Sequence, residues 1–290
     1  MIERGAGAFP TERLAEMRAR PAFRDASTRL LNGIVTLHRS DPARHRLFSD
    51  RGRVFVAFFC LYLHGLPNQN GTRLTMSRLE AACLKHEICS AARARSIVQL
   101  LLRARYLTMA DNAEDGRTKP MEPTAPLRDY FKQRWAINIA SLAVVSPRFE
   151  TFSSALDRHA FRDALCALIG HSHLTGRGLP AEPDGLSEIT ELDSGLMIML
   201  RLALADRLGD PPPSANGMSR EFGISRAHVS NILQAGERTG LIARVGATST
   251  FAIRAPLCER MSDYCAATML LYESIVPDAL VLEGRHSSPP

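Results

Sequence analysis

Residues 213–254 decide the fold, and they read PSANGMSREFGISRAHVSNILQAGERTGLIARVGATSTFAIR. The apolar residues at the start of this stretch share one face of a short helix: Ala215, Met218 and Phe222. Gly223 follows them at a point where a positive φ costs little, and Ser225 can cap a second helix. The stretch therefore predicts two helices joined by a tight turn.

The second predicted helix, which begins after Ser225, has two faces of different chemistry. Its core-facing residues are Val229, Ile232, Leu233 and Gly236. Its outward residues are Ala227, Asn231, Gln234 and Arg238, with His228 and Ser230 on the flanks. An ordinary surface helix collects Glu and Lys pairs, whereas short side chains and amides can read base edges in a DNA groove. We therefore interpret it as a recognition helix.

Two β-prone runs follow Gly240, at 242–245 and 250–253, around a small polar tip at 246–249. This pattern predicts a hairpin, or wing. Together with the two helices, it resembles a winged helix-turn-helix domain of a bacterial transcription regulator. The resemblance implies a mainly α fold with small β-hairpin wings, which is an α+β class. The alternative is a generic α+β domain that contains two helices and a hairpin.

A second copy of the pattern precedes the first, because Ser90 and Ser225 are 225 − 90 = 135 positions apart. At that offset core positions match core positions and outward positions match outward ones, as in Ile97 with Ile232 and Gln99 with Gln234. The outward residues of this copy are Ala92, Ser96, Gln99 and Arg103, flanked by Arg93 and Arg95. Its turn is weaker, since Ile88-Cys89 stands where Gly223-Ile224 does. We interpret the match as an internal duplication and predict two tandem winged helix-turn-helix domains in a pseudo-two-fold arrangement.

Residues 111–124, DNAEDGRTKPMEPT, resemble the wing of the MarR family of regulators, and the likeness covers about 74–135. In that family an acidic residue two positions before an arginine is followed, seven positions after the arginine, by a threonine. Asp115, Arg117 and Thr124 occupy those positions. The resemblance implies that Arg117 enters the minor groove and that Asp115 orients it. Pro120 and Pro123 depart from the pattern and predict a short returning strand, because proline cannot donate to a ladder.

Composition favours a folded protein that binds a polyanion in a reducing compartment. The net charge is +6 and the pI is about 9.2, which suits nucleic acid. The six cysteines form no Cys-x-x-Cys pair and lie mostly among apolar neighbours, so we expect buried free thiols. No signal peptide is recognisable, and the most apolar run, 54–63, is far shorter than a bilayer span. We expect a cytoplasmic protein that contacts no membrane.

Domain boundaries follow from helical periodicity and turn clusters. We predict an N-terminal extension at 1–20, a first winged-helix domain at 21–146, a second at 147–282 and a disordered tail at 283–290. Within them we expect helices at 11–18, 22–38, 53–64, 124–139, 149–169, 194–208 and 255–276. The helices at 53–64 and 194–208 are apolar nearly all round, which predicts a buried helix at the centre of each domain.

Three weaker features accompany this plan. Pro21-x-Phe23 matches Pro147-x-Phe149 at an offset of 149 − 23 = 126, which extends the duplication to each leading helix. The basic run at 44–46 is typical of a solvated loop. His171-x-His173 lies beside Cys166, but no further ligand stands at a known spacing, so we interpret it as a surface histidine pair rather than a metal site.

We expect a sequence-specific, double-stranded DNA-binding transcription regulator. Two unlike recognition helices in one chain predict two unlike half-sites about one helical turn apart. Base reading would fall to Asn231, Gln234 and His228 in one copy and to Ser96 and Gln99 in the other. Phosphate contacts would come from helix N-termini and from these arginines: Arg73, Arg78, Arg93, Arg95, Arg220, Arg226, Arg244 and Arg254.

The sequence has no phosphate-cradling glycine loop, nucleophile elbow or His-Glu-x-x-His motif, so we expect no catalytic residue, cofactor or metal. Two other hypotheses remain. One is a plasmid-type replication initiator, which also resembles tandem winged helices. The other is a protein-interaction module built from degenerate winged helices. Association into a homodimer and binding of a small-molecule effector stay open.

Overall fold

The computed structural model describes residues 9–66, 73–110, 120–175, 186–246 and 250–287. Over these residues the chain is mainly α with two small antiparallel sheets, as predicted. The helices are α1 (Thr11–Arg18), α2 (Phe23–Arg39), α3 (Pro42–Leu47), α4 (Arg51–Gly65), α5 (Met76–Lys85), α6 (Ala91–Arg103), α7 (Ala125–Val145), α8 (Phe152–Ala155), α9 (His159–Leu174), α10 (Ser187–Thr190), α11 (Gly195–Leu208), α12 (Ala215–Phe222), α13 (Arg226–Arg238) and α14 (Ala255–Ser287).

Each described sheet is a two-stranded hairpin that follows a helix pair. Strands β1 (Leu107–Met109) and β2 (Met121–Pro123) pair antiparallel with Leu107 opposite Pro123. Strands β3 (Ile242–Arg244) and β4 (Phe251–Ile253) pair in the same way with Ile242 opposite Ile253. The three-residue length of β2 agrees with the short strand that its prolines predict.

The chain forms two compact units, each discontinuous in sequence. The Ser225 unit consists of Met1–Asp50, Ile137–Ser153 and Leu179–Ser274. The Ser90 unit consists of Arg51–Ala136, Ser154–Gly178 and Ile275–Pro290. The units therefore do not coincide with the contiguous ranges 21–146 and 147–282. Residues 21–50 and 137–146 lie in the Ser225 unit, and residues 154–178 and 275–282 lie in the Ser90 unit.

The exchanged segments include the two long leading helices. Helix α2 precedes the Ser90 repeat in sequence but packs on α11 in the Ser225 unit. Helix α9 precedes the Ser225 repeat but packs on α4 in the Ser90 unit. Both α4 and α11 are largely buried, as predicted. A helix that is apolar on all sides must pack against other elements on every side. In each unit, the leading helix of the opposite repeat packs against one side of this central helix.

Side-chain contacts fix both packings. At the α4–α9 contact, a Cβ at Gly170 would overlap the ring of Tyr62, so only glycine allows this approach. At the α2–α11 contact, Arg207 donates from one terminal nitrogen to Ser27 Oγ at 2.6 Å and from the other to Ser262 Oγ at 3.0 Å. Ser27 lies on the buried face of α2 together with Leu31, one turn away.

Three predictions of local structure were wrong. The helix expected at 149–169 is a 3₁₀ turn (Pro147–Phe149), the short α8 and then α9, so the match at an offset of 126 does not align the leading helices. Residues 44–46 lie in α3 rather than in a loop, because Asp41 caps that helix by accepting from the Arg44 amide. Helix α14 continues through Ser287, so most of the expected disordered tail is helical.

Helix α14 also contains the most extended apolar segment of the described chain. By length and composition, Ala255–Gly284 could cross a membrane, with a mean hydropathy of 1.5. However, 61% of that apolar window is buried inside the protein, as in an ordinary core helix. This segment is longer than the run 54–63, which the sequence predicts to be the most apolar, and it contains more polar residues.

All six cysteines are free thiols, as expected. Cys60, Cys83, Cys166 and Cys265 are buried, and Cys89 and Cys258 are half-buried. Burial raises the pKa of the Cys83 and Cys265 thiols to about 12, so they stay protonated at neutral pH. These side chains act as small apolar groups in the two cores.

We expect Leu31→Ala to loosen the Ser225 unit selectively, because it opens a cavity on the α2 face that packs on α11. Loss of a buried leucine costs about 2–5 kcal/mol. Hydrogen exchange followed by mass spectrometry should show faster exchange in α11, α12 and α13 than in α4, α5 and α6. The exposed neighbour Asn32→Ala is the matched control and should change neither. Equal acceleration in α4–α6 would contradict the exchanged packing.

Candidate nucleic-acid interface

The turn between α12 and α13 is built from local hydrogen bonds. Ser214 Oγ accepts from the Gly217 amide at 3.1 Å at the start of α12. Gly223 ends α12 with φ 64°, and Ser219 Oγ donates to the Ile224 carbonyl at 2.7 Å across the turn. Ser225 Oγ then accepts from the His228 amide at 3.1 Å and caps α13. The turn and the cap lie where the sequence places them.

Helix α13 presents the two faces that its sequence predicts. Its buried residues are Val229, Ile232, Leu233, Ala235 and Gly236. Its exposed residues include Arg226, Ala227, Asn231, Gln234 and Arg238, whereas Ser230 is half-buried. Within the described part of the chain, the side chains of Asn231 and Gln234 have no hydrogen-bond partner. Two unengaged amides one turn apart thus lie on the outer face of the helix.

His228 differs from the other candidate base-reading residues. Its Nε2 lies 2.6 Å from the Asp193 carbonyl oxygen, a distance at which the ring nitrogen donates a hydrogen bond. Asp193 precedes Ser194, the left-handed residue (φ 66°) that begins α11. The half-buried His228 therefore ties the first turn of α13 to the start of α11 and acts as a positioning residue.

A buried polar chain anchors the same region from the other side. The Nδ1 atoms of His38 and His45 are 3.1 Å apart, and His45 Nε2 is 2.9 Å from Ser194 Oγ. All three side chains are buried. The His45 ring also packs against Phe222 of α12, with ring centroids 5.2 Å apart. Sequence reasoning missed this chain, because two histidines and a serine far apart in sequence carry no spacing signal.

The arginines of the Ser225 unit are mostly exposed around α13. Arg220, Arg226, Arg238, Arg244 and Arg254 are exposed. Arg244 lies 3.8 Å from Glu237 and over the Phe251 ring at 4.9 Å, which holds its guanidinium beside the hairpin. Glu221, the acidic residue of α12, pairs with Arg201 at 3.1 Å and lies 3.8 Å from Arg39, so its charge is compensated.

The Ser90 unit repeats the geometry of α13 at one constant offset. Helices α6 and α13 have equal lengths, and their bounds differ by 226 − 91 = 135 and 238 − 103 = 135. The left-handed residues that follow, Arg105 (φ 60°) and Gly240 (φ 71°), differ by 240 − 105 = 135. Strands β1 and β3 begin at 107 and 242, again 135 apart. The offset therefore holds from the cap serine through the first strand of each hairpin.

The turn before α6 departs from that offset. Glu87 (φ 52°) takes the left-handed conformation three positions before Ser90, whereas Gly223 does so two positions before Ser225. Ile88 therefore corresponds to Ile224 rather than to Gly223, and the amides of both residues donate to a carbonyl five positions earlier. A non-glycine residue at positive φ makes this turn the more strained of the two.

The outward residues of α6 are placed as expected. Ala92, Arg93, Ser96, Gln99 and Arg103 are exposed. Arg95 is exposed as well but pairs with Glu80 at 2.8 Å, and Ser96 Oγ donates to the Ala92 carbonyl at 3.1 Å. Gln99 has no hydrogen-bond partner among the described residues. Of the outward polar groups on this helix, the Gln99 amide is thus the counterpart of Gln234.

The hairpin tip that resembles a MarR wing lies outside the described residues, so the proposed roles of Asp115 and Arg117 stay predictions. Thr124, the third residue of that pattern, donates from Oγ1 to the carbonyl of Arg105 at 2.7 Å. Its backbone amide donates to the Tyr106 carbonyl at 3.1 Å. Thr124 therefore closes the base of the hairpin against the left-handed residue that follows α6.

The histidine pair of α9 is not a surface pair. His171 is exposed, but His173 packs edge-on against Phe55 and Phe58, with centroid separations of 4.9 and 5.8 Å. Burial, with Arg51 nearby, lowers the pKa of His173 from 6.5 to about 4. Over the described residues, no group of three or more His, Cys, Asp and Glu side chains is arranged to hold a metal ion.

Comparisons of the chain with family models, curated proteins and solved structures found no match in any of the three.

We expect Gly223→Ala to destabilise the Ser225 unit more than Gly240→Ala does. Both residues have positive φ, and an alanine there costs about 1–2 kcal/mol. At Gly223 the added Cβ would also lie 2.9 Å from Pro42 Cβ of α3, whereas at Gly240 it meets open space. Urea denaturation followed by circular dichroism measures the difference. Equal losses would mean that α3 does not pack against the turn.

We expect the half-buried His173 to make the Ser90 unit less stable as the pH falls. The unfolded chain binds a proton near pH 6.5 and the folded chain only near 4, so the unfolded state gains protons between these values. The free energy of unfolding should fall across this window by up to about 3 kcal/mol. His173→Gln should remove this part of the slope, and the exposed His171→Gln should retain it. Identical pH profiles for the two variants would contradict the assignment.

Proposed function

We propose that the protein is a sequence-specific, double-stranded DNA-binding transcription regulator with two winged helix-turn-helix units in one chain. One observation carries the proposal. The outer face of α13 holds two exposed amides, Asn231 and Gln234, with no hydrogen-bond partner among the described residues, on a helix capped by Ser225 and packed behind a tight turn. In this proposal α12 and α13 form the helix-turn-helix, and β3 and β4 form the wing.

The chemistry of this face suits the major groove. Asparagine and glutamine amides bind adenine through its N7 acceptor and N6 donor, and a good bidentate pair discriminates by about 1–3 kcal/mol. Ala227 adds a methyl group that can contact a thymine methyl on the same face. Because no Glu or Asp lies among these outward residues before Glu237, the face does not repel phosphate.

Exposed arginines around the face supply the sequence-independent part of binding. Arg226 stands at the helix N-terminus, where backbone N–H groups also favour a phosphate. Arg220 and Arg254 are exposed, and Arg244 is held beside the hairpin by Phe251. Such contacts fix the register of a protein on the duplex but carry no sequence information. His228, through its bond to Asp193, sets the angle of the helix rather than reading a base.

The second reading helix in this proposal is α6. At the offset of 135 it shares Ala92, Gln99 and Arg103 with Ala227, Gln234 and Arg238. It differs at Ser96, which replaces Asn231, and at Arg95, which replaces Ser230. Helices with shared and differing outward residues would read related but unlike half-sites, so the operator need not be a palindrome. A regulator of this kind acts in the cytoplasm of a bacterium.

We expect Asn231→Ala and Gln234→Ala each to weaken binding to the selected site by about 1–3 kcal/mol, or roughly 5- to 150-fold. The site is first obtained by selection from random duplexes with the full chain. Fluorescence anisotropy at two salt concentrations then measures both the selected and a scrambled duplex. Asn32→Ala, an exposed amide on α2, is the matched control.

Gln99→Ala should lower affinity for the same site through the other half-site, and binding to the scrambled duplex should change little in all variants. Affinity for every duplex should fall steeply as salt rises. Selection that enriches no duplex sequence, or equal losses on selected and scrambled DNA, would refute the proposal. Enrichment of tandemly iterated sites beside AT-rich DNA would instead favour a replication initiator.

A further inference from the structure

A cavity of about 430 Å³ lies within the Ser225 unit, on the side of α11 that faces α2 and the first turns of α14. Its size falls in the range of small-molecule sites. The lining residues are Arg18, Phe23, Arg24, Ala203, Asp206, Arg207, Ile253, Cys258, Glu259, Met261 and Ser262. Apolar side chains and a group of charged ones therefore meet in one concave surface.

The apolar part of the wall comes from four elements. Phe23 belongs to α2, Ala203 to α11, Ile253 to β4 and Met261 to α14. Phe23, Ala203 and Met261 are buried from bulk solvent, and Ile253 is half-buried. Ile253 therefore supplies most of the accessible apolar surface of this wall, and a ligand that covers it removes apolar surface from water on both partners.

The polar part of the wall centres on Arg207. This half-buried guanidinium donates to two hydroxyls, Ser27 Oγ at 2.6 Å and Ser262 Oγ at 3.0 Å. Among the described residues these are its only side-chain hydrogen bonds, and no carboxylate lies within 4.0 Å of it. Three of its five N–H donors thus remain for another acceptor. The two neutral hydroxyls hold the Arg207 guanidinium in place without neutralising its charge.

The other charged residues limit what that acceptor can be. Arg18 is paired with Asp263 at 3.0 Å, whereas Arg24 has no carboxylate partner in the described structure. Asp206 and Glu259 are exposed, so water weakens their field at Arg207 but leaves them able to repel a second negative charge on a ligand. The charges around the cavity therefore favour a ligand with one negative charge over a ligand with two.

We infer that this cavity binds a small organic monocarboxylate whose apolar body packs on Ile253, beside Phe23 and Met261 of the same wall. The carboxylate accepts a pair of hydrogen bonds from the Arg207 fork, which matches its planar geometry. Arg24 adds a second cation at the same surface. The inference concerns ligand binding alone and stands whether or not α13 reads DNA.

The test is isothermal titration of the full chain, without DNA, with three probes of one shape. They are 2-naphthoate, its neutral primary amide and naphthalene-2,6-dicarboxylate. We expect the monocarboxylate to bind at least about 10-fold more tightly than the amide, since the charged fork stays unneutralised in the amide complex. It should also bind more tightly than the dicarboxylate. Absence of monocarboxylate binding, or no preference for it over the amide, overturns the inference.

Variants locate the site. Arg207→Gln should weaken 2-naphthoate binding at least about 10-fold, and Arg24→Gln should weaken it several-fold. The matched control is Arg29→Gln, an exposed arginine of α2 that does not line the cavity. Thermal melts establish that each variant is folded. Unchanged affinity in a folded Arg207→Gln protein overturns the inference.

A second measurement needs no substitution. In protein with ¹³C-labelled methionine methyl groups, the naphthalene ring should shift the Met261 resonance. The Met121 resonance, which comes from the Ser90 unit, should stay in place. Saturable shifts confined to methionines other than Met261 would show that the acid binds elsewhere and would also overturn the inference.

Discussion

The structure depends on the burial of two helices that have no polar face. Helices α4 and α11 are apolar around most of their circumference, so neither can lie at a surface without exposing a large hydrophobic area. Each unit encloses its central helix with the helix pair and hairpin of its own repeat and with the leading helix of the other repeat. These packings are specific, as the close approach of Gly170 to Tyr62 and the hydrogen bond from Arg207 to Ser27 show. A substitution on a leading helix therefore acts on the repeat that is distant in sequence.

Local backbone chemistry then places the outer helices on this framework. A cap serine and a left-handed residue define the beginning of α13 and the end of α12, and the same elements, with one residue added in the turn, define α6 and α5. Behind α12, the buried chain from His38 through His45 to Ser194 holds α3 and the start of α11 together. Because unpaired buried polar groups are costly, such a chain specifies one arrangement of its helices. The exposed amides of α13 thus project from a fixed support.

Much of this organisation can be read from the sequence where the signal is periodic or local. The faces of α13 and α6, the turn glycine, both cap serines and the buried character of α4 and α11 all follow from spacing and residue type. Long-range features carry no such signal. Proximity along the chain predicts contiguous domains, and nothing in the periodicity of α2 reveals that its partner is α11. The hydrogen bond between His228 and the Asp193 carbonyl is one such feature, because the two residues are 35 positions apart and belong to different elements. The sequence also predicts that the closing helix ends at Val276, directly before Pro277, whereas α14 continues through Ser287.

The exchange of leading helices also affects folding during translation, because α2 is synthesised well before the helix on which it packs. Helix α2 leaves the ribosome before α11. Because Ser27 and its partner Arg207 are 180 residues apart, α2 waits about 10–40 s for α11 at roughly 5–20 residues per second. During that interval its apolar face, including Leu30, Leu31 and Ile34, has no native cover from α11. The nascent chain is therefore exposed to aggregation and to chaperone capture until α11 has been translated.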